Sequence, residues 1–225
     1  MAGEITRRVI LSFATLLCCV YVAIRGLDIK LSLPLNAFLK SIPIVLLSFV
    51  AILHDSPDVK GNKLATGIGR GLVLCSFGDV ALEIENGFLP GLFLFLAGHL
   101  FYTTAVSPLR LTDIRKDHGM QGVGVYFILT GAWWSIVFAS YLTIVDGVPS
   151  DMRPPVAIYC AVIGVMVYRV LNHRDLVAGR SSYLYVAFGA LSFAFSDFVL
   201  GYNKFVTPIG NASTIVMIFY VSIHI

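Results

Sequence analysis

The chain has 225 residues, of which 57% are hydrophobic and only 13% are charged, and its mean hydropathy is +0.85. Soluble domains are roughly 45–50% apolar and about 25% charged, so this composition excludes an ordinary soluble domain and indicates a polytopic membrane protein. The net charge of +3 is small, and no basic run interleaved with aromatic residues occurs. Nucleic acid is therefore not an expected partner.

Apolar stretches that are long enough, or nearly long enough, to cross a membrane recur along the whole chain. A membrane helix needs roughly 20 mostly apolar residues. Short polar, glycine-rich or proline-containing segments separate the stretches, and no long linker interrupts them. We therefore predict an all-α fold, a bundle of eight transmembrane helices in a single domain over residues 1–225. The predicted spans are Val9–Ile24, Asn36–Leu53, Leu64–Ile84, Phe88–Ser107, Gly122–Val145, Pro154–Leu171, Ser181–Leu200 and Thr207–Ile225.

The distribution of lysine and arginine predicts the orientation of the bundle. With eight spans, the side that holds both termini carries eleven of these residues and the other side carries four, while Lys40 lies within the second span. Cytoplasmic segments are the ones enriched in positive charge. We therefore predict that both termini are cytoplasmic. The four on the outer side are Arg25, Lys30, Arg153 and Lys204.

Several ionisable residues fall at a similar depth in the predicted bundle. Asp79 and Asp197 lie about fifteen residues into the third and seventh spans, which is roughly 22 Å from the inner ends of these helices. Lys40 also lies in the outer half, and His99 and Tyr102 lie near the middle of the fourth span. Lipid cannot solvate such groups, so we expect them to face the interior of the bundle.

The third and seventh spans also share a pattern. Gly71-x5-Phe77-x-Asp79-x2-Leu82 matches Gly189-x5-Phe195-x-Asp197-x2-Leu200 with a constant offset of 118. The two spans are parallel in the predicted topology. The pattern therefore favours a pair of carboxyl groups related by pseudo-symmetry around one cavity.

Each of these residues also has a purely structural interpretation. Asp79 and Asp197 could be tied to Lys40, to Arg70 or to a hydroxyl at a helix end, but as a matched pair at one depth they favour a functional site. Lys40 could extend outward to the interface or pair with phosphate or carboxylate. His99 could be a satisfied interior histidine. Glu83 lies at the outer interface, where we expect it to be solvated.

The sequence lacks the short motifs of several enzyme classes. There is no HExxH, GxSxG, Walker or Rossmann motif, which argues against metalloprotease, serine lipase and nucleotide-driven mechanisms. The four cysteines lie within apolar spans without metal-ligand spacing, so we expect reduced thiols with a packing role. They are Cys18, Cys19, Cys75 and Cys160.

Three motifs in order along the chain resemble the YhhN-type lysoplasmalogenases, and most closely their animal transmembrane members. These motifs are SFGD (76–79), Phe88-x2-Gly91-x7-His99-x2-Tyr102 and GALSFAFSD (189–197), and Lys40 with Pro43 fits the same pattern. The resemblance runs from about the second span to the seventh. One departure occurs at the C-terminus, where Ile223 stands at a position at which the family has glutamine.

The resemblance implies an eight-helix integral membrane hydrolase that cleaves the vinyl ether bond of lysoplasmalogens. The implied products are a fatty aldehyde and glycerophosphoethanolamine or glycerophosphocholine. No metal or organic cofactor is implied, and the implied location is the endoplasmic reticulum membrane. The partner is a lysophospholipid that enters from the bilayer. The paired aspartates of the family map onto Asp79 and Asp197.

The proposed chemistry explains why a carboxyl group would be buried in an apolar helix. Hydrolysis of a vinyl ether begins with protonation of its β-carbon, which needs a strong acid. A carboxyl group in a dry bundle can remain protonated because burial disfavours its charged form. We expect Asp79 or Asp197 to donate the proton and the other to stabilise the cation, so that Asp79→Asn abolishes turnover. The candidate substrate-binding residues are Lys40, Ser76, His99, Tyr102 and Ser196.

A transporter is the main alternative that the sequence leaves open. Buried Asp, Lys and His residues also serve proton relays, and the weak parallel repeat fits a proton-coupled or lipid-translocating protein. The spans lack obvious Gly/Pro breaks near the aspartates, which argues against it. A non-catalytic lipid sensor is a third possibility, and the resemblance favours the enzyme.

Overall fold

The computed structural model describes residues 2–27, 29, 31–53, 59–106, 111–172 and 180–222, and every regular element in these ranges is an α-helix. The all-α class predicted from the sequence is confirmed. The helices in chain order are α1 (Ala2–Gly26), α2 (Leu33–Ile52), α3 (Val59–Glu83), α4 (Phe88–Ala105), α5 (Leu111–Val145), α6 (Arg153–Asn172), α7 (Arg180–Phe205) and α8 (Ala212–Ser222).

Seven of these helices, α1 to α7, are long and apolar enough to cross a membrane. They make the protein an integral membrane protein. The described part of α8 has 11 residues, fewer than a span needs. Residues 223–225 of the predicted eighth span, including Ile223, lie outside the described residues. The eighth crossing and the cytoplasmic position of the termini therefore stay predictions.

The packing of the helices forms a ring with one helix outside it. Around the ring, α1 packs on α2, α2 on α3, α3 on α4, α4 on α6, α6 on α7, α7 on α8, and α8 on α1. In the described part of the chain, helix α5 packs chiefly against α6 and α7, and just 6% of its apolar stretch is buried, against 39% for α6. An apolar helix with so little buried surface faces lipid along most of its length.

Glycine residues allow α3 and α4 to pack closely. Gly71 and Gly78 on α3 and Gly91 and Gly98 on α4 are each seven residues apart, so each pair lies on one face of its helix. A Cβ atom on Gly98 would lie 2.8 Å from the Cys75 sulfur, too close for real atoms. Small residues at such a contact let two membrane helices approach. The close approach brings the polar residues of α4 next to those of α3.

Two backbone features end or redirect these helices. Asn86, between α3 and α4, has a left-handed φ of 63°, which asparagine tolerates better than most residues. Gly119 has φ 63° and ψ −163° and interrupts α5, so that its apolar stretch runs over Gly119–Val145. The sequence placed the start of this span three residues later, at Gly122.

Candidate functional site

The first polar cluster of the membrane interior lies between α2 and α3. The Lys40 Nζ atom is 3.1 Å from Asp79 Oδ1 and 3.5 Å from Glu83 Oε1. The Asn36 side-chain amide donates to Glu83 Oε2 at 2.6 Å, and the Tyr21 hydroxyl donates to Asn36 Oδ1 at 3.0 Å. We call these five residues the α2–α3 cluster. Its buried charges are paired and hydrogen-bonded, as buried charges must be.

The spacing of the residues explains why this cluster forms. Asn36 and Lys40 are four residues apart on α2, and Asp79 and Glu83 are four residues apart on α3, so each pair lies on one helical face. Because the two helices run in opposite directions, Lys40 meets Asp79 while Asn36 meets Glu83. The expectation that Glu83 is solvated is wrong, since its side chain is only 20% exposed and is held by two partners from α2.

The second carboxyl group, Asp197 on α7, has different neighbours. The Tyr159 hydroxyl on α6 donates to Asp197 Oδ2 at 2.6 Å, and the His99 Nε2 atom on α4 is 3.8 Å from the same oxygen. No lysine or arginine in the described part of the chain pairs with Asp197. This carboxyl group therefore contacts a neutral donor and an imidazole rather than a permanent cation.

Asp197 lies on the wall of a cavity of about 350 Å³. The cavity is formed chiefly by α4, α5, α6 and α7, and its lining is apolar apart from a few groups that include Asp197 and Tyr159. An apolar pocket with a few convergent polar groups is the usual form of a small-molecule site. Among the lining residues are Leu92, Phe95, Trp133, Ile163, Leu191 and Phe198.

His99 is completely buried beside Asp197. Its Nδ1 atom is 2.6 Å from the Phe95 carbonyl oxygen, and its ring packs edge-on against Phe193 at 4.6 Å and Tyr159 at 5.5 Å. A carbonyl oxygen can only accept, so Nδ1 carries the hydrogen and Nε2 of the neutral ring presents a lone pair. Nε2 has no hydrogen-bond partner. A lone pair facing a carboxylate is repulsive, so a proton on Asp197 or on Nε2 makes this arrangement favourable.

Only one of the two aspartates lines the cavity. Asp79 is 2% exposed and is not part of the cavity wall, whereas Asp197 is. Lys40 is also absent from the wall. Asp79 and Asp197 therefore do not both line this cavity, and their pairing in one functional site stays a prediction.

The other predicted substrate-binding residues make contacts within the protein. The Tyr102 hydroxyl lies 3.5 Å from the Cys75 sulfur, and its ring is edge-on to His99 at 5.8 Å. Ser76 donates to the Val73 carbonyl oxygen at 2.7 Å, and Ser196 donates to the Val216 carbonyl oxygen at 3.2 Å. Neither serine is among the residues that line the cavity.

The sequence does not predict three of these polar residues, which are Tyr21, Asn36 and Tyr159. Tyr159 lies in an apolar helix without a motif, and only its hydroxyl marks it as a candidate. Asn36 is only the start of a predicted span, although its spacing of four residues from Lys40 is a signal that could identify it. The four cysteines are all free, as expected. Within the described residues, no cluster of His, Cys, Asp or Glu could hold a metal ion.

Comparison with known families identifies the relatives of the chain. The model of the YhhN family matches residues 35–225. This chain belongs to the YhhN family. The family match covers every residue of the α2–α3 cluster except Tyr21, and it covers the whole cavity wall. The resemblance noted in the sequence is thereby confirmed.

Three curated relatives are similar to this chain, and all three are named lysoplasmalogenase TMEM86B. The human lysoplasmalogenase TMEM86B is 29% identical over 208 residues, which cover 90% of this chain and 77% of the relative. The pig protein of the same name is 29% identical over 191 residues, covering 84% of this chain and 72% of the relative. The rat protein of the same name is 30% identical over 158 residues, which cover 69% of this chain and 57% of the relative. No solved structure gives a significant match.

Proposed function

We propose that the chain is an integral membrane hydrolase that cleaves the vinyl ether bond of lysoplasmalogens. The products are a fatty aldehyde and glycerophosphoethanolamine or glycerophosphocholine, and the site of action is the endoplasmic reticulum membrane. The observation that carries the proposal is the buried Asp197 carboxyl group on the wall of an apolar cavity, between a hydroxyl donor and an unpartnered histidine nitrogen. Relatives named lysoplasmalogenase support the same reaction.

Asp197 is the acid in this proposal. Its protonated carboxyl group transfers a proton to the β-carbon of the vinyl ether, and the double-bond electrons form the new C–H bond. The α-carbon and the ether oxygen then share the positive charge of an oxocarbenium ion. The carboxylate left on Asp197 faces this cation, much as carboxylates do in glycoside hydrolysis.

Water completes the reaction. A water molecule adds to the α-carbon and loses a proton to the Asp197 carboxylate, which regenerates the acid. The resulting hemiacetal collapses to the aldehyde and the free glycerol hydroxyl. Each turnover therefore consumes one water: the proton from Asp197 stays on the β-carbon, and a proton from the water restores the carboxyl group.

Tyr159 and His99 support both states of Asp197. The Tyr159 hydroxyl, 2.6 Å from Oδ2, stabilises the carboxylate after proton transfer. The His99 Nε2 lone pair, 3.8 Å from Oδ2, accepts a hydrogen bond from the protonated carboxyl group when the two side chains move slightly closer. His99 is thus a positioning residue, fixed in its tautomer by the Phe95 carbonyl group.

Asp79 is less suited to be the acid. Its carboxylate faces the Lys40 ammonium group at 3.1 Å, and an adjacent cation favours the ionised form of a carboxyl group. An ionised carboxylate has no proton to give. Asp79 instead supplies a fixed negative charge that disfavours a second one on Asp197.

The test is an assay with the purified full chain in detergent. Lysoplasmenylethanolamine is compared with its saturated ether and acyl analogues, and free aldehyde and fatty acid are measured. We expect aldehyde from the vinyl ether alone, before and after dialysis against EDTA, since acid catalysis by a carboxyl group needs no metal. Absence of aldehyde from a folded sample would overturn the proposal, and proton-coupled uptake into vesicles without product would favour a transporter.

A further inference from the structure

The cavity is long and open to lipid. Its wall follows α7 from Leu191 to Phe205, which corresponds to about 20 Å of helix. Three lining residues also face the outside of the bundle, because Ile136 on α5 is 59% exposed and Leu191 and Phe195 on α7 are 41% and 46% exposed. A molecule dissolved in the bilayer can therefore reach the cavity sideways between α5 and α7.

A lysine marks one end of this cavity. Lys204, in the last turn of α7, holds its Nζ atom 4.5 Å from the centre of the Phe88 ring and 6.0 Å from that of Phe205, and both rings line the cavity. Lys204 is exposed, and no carboxylate in the described ranges pairs with it. Lys204 is not itself a lining residue, but its ammonium group lies over two rings that are, and it is available to an anion beside that end of the cavity.

The position of Lys204 relative to Asp197 fits one lipid molecule. Seven residues are close to two helical turns, so the two side chains lie on one face of α7, with about 10 Å of rise between them. Lys204 belongs to the end of a span, where phosphate headgroups lie, and Asp197 lies deeper. In a glycerophospholipid the sn-1 bond likewise lies deeper than the phosphate.

We propose that the cavity binds a single-chain glycerophospholipid with its phosphate on Lys204, its sn-1 bond at Asp197 and its chain along Trp133, Ile163 and Leu191. The assignment of the sn-1 bond rests on the proposed hydrolysis, whereas the placement of phosphate and chain rests on charge and polarity. The reverse orientation would put a phosphate in the apolar stretch, at a large desolvation cost. The sequence suggested Lys40 as a phosphate ligand. We assign this contact to Lys204 instead, because the Lys40 ammonium group already pairs with two carboxylates.

The first experiment tests the phosphate contact. Turnover of lysoplasmenylethanolamine is compared with turnover of 1-alkenylglycerol, which lacks the phosphate, in the full chain and in Lys204→Gln. The matched control is Lys63→Gln, which removes an exposed lysine from α3. We expect Lys204→Gln to lower the ratio of the two kcat/KM values about tenfold through KM, as loss of a charge-assisted contact would. Both substrates are measured with the same protein sample, so the ratio of their kcat/KM values does not depend on the fraction of the protein that is folded.

The second experiment measures binding without turnover. Trp133 lines the cavity, and Trp134 is the only other tryptophan of the chain. In a Trp134→Phe background, an acyl lysophosphatidylcholine with a brominated chain should quench Trp133 fluorescence. We expect saturable quenching in nanodiscs, competed by the unbrominated lipid and weakened about tenfold by Lys204→Gln. Quenching that rises linearly without saturation reports partitioning into the bilayer and would contradict binding in the cavity.

The two experiments separate the failure of this inference from the failure of the proposed function. If quenching is saturable and depends on Lys204 but the chain releases no aldehyde, the hydrolase proposal is overturned and the lipid site is supported. The opposite result is also informative. If the chain releases aldehyde, but Lys204→Gln leaves the substrate ratio unchanged and the quenching does not saturate, the hydrolase proposal stands and the lipid site is overturned. An equal loss for both substrates would also overturn it, because it would show that Lys204 does not recognise phosphate.

Discussion

Asp79 and Asp197 occupy equivalent positions in two matching sequence patterns, yet their surroundings differ. Asp79 on α3 meets the Lys40 ammonium group from α2, whereas Asp197 on α7 meets the Tyr159 hydroxyl from α6 and the buried His99 from α4. The local pattern therefore sets where each carboxyl group lies along its helix. The neighbouring helices determine whether that group is paired with a lysine, as Asp79 is, or lies beside an apolar cavity without one, as Asp197 does.

The largest effect is expected at Asp197. Asp197→Asn keeps the size of the side chain and an acceptor for the Tyr159 hydroxyl, but it removes the acidic proton. We expect kcat for aldehyde release to fall at least about a thousandfold, within the range that general acid catalysis supplies. The thermal unfolding midpoint should change little.

The matched control is Asp151→Asn, which changes an exposed aspartate in the loop before α6 and should leave turnover unchanged. If Asp197→Asn retained near-normal turnover, Asp197 would not be the acid. The different surroundings of the two carboxyl groups would then not explain the reaction.

The second effect concerns stability and the ion pair. Asp79→Asn leaves the Lys40 ammonium group buried with Glu83 as its remaining carboxylate partner. Breaking a buried ion pair costs about 3–5 kcal/mol, and we expect the lower end here because Glu83 stays in contact. The measurement is thermal unfolding in detergent, followed by turnover per folded molecule, which should fall far less than in Asp197→Asn.

A triple variant distinguishes pairing from chemistry. Lys40→Met combined with Asp79→Leu and Glu83→Gln removes all three charges of the α2–α3 cluster, and we expect it to recover most of the lost stability, as apolar replacements of buried pairs often do. Normal stability together with complete loss of turnover in Asp79→Asn would instead assign Asp79 to the reaction, which is what the sequence alone suggested.

The third effect tests the donor that distinguishes the two sites. Tyr159→Phe removes the hydroxyl that stabilises the Asp197 carboxylate. A hydrogen bond to a charged group contributes about 1.5–3 kcal/mol, so kcat should fall roughly ten- to a hundredfold. Tyr168→Phe is the control on the same helix, because its hydroxyl bonds Thr130 and Tyr126 away from Asp197. An equal loss in both variants would indicate a packing effect rather than stabilisation of the carboxylate.

Much of this arrangement could be predicted from the sequence, because hydropathy and helical rise are local properties. They placed Lys40, Asp79 and Asp197 at similar depth, and helices α2 to α7 coincide with predicted spans within a few residues at most of their ends. The partners of each carboxyl group could not be predicted, because they depend on which helices are neighbours. The ring order, the outside position of α5 and the Tyr159 contact all follow from side-chain packing between distant segments.

The smallest effects are expected at the two serines near the aspartates. Ser76 and Ser196 donate to the backbone carbonyl groups of Val73 and Val216, so the structure favours a packing role. Ser76→Ala and Ser196→Ala should each cost at most about 1 kcal/mol of stability and change kcat/KM less than about threefold. Steady-state kinetics on both variants measure this directly. A tenfold rise in KM for either variant would mean that its hydroxyl contacts the bound lipid, and that the polar contacts around the two aspartates are more alike than the structure indicates.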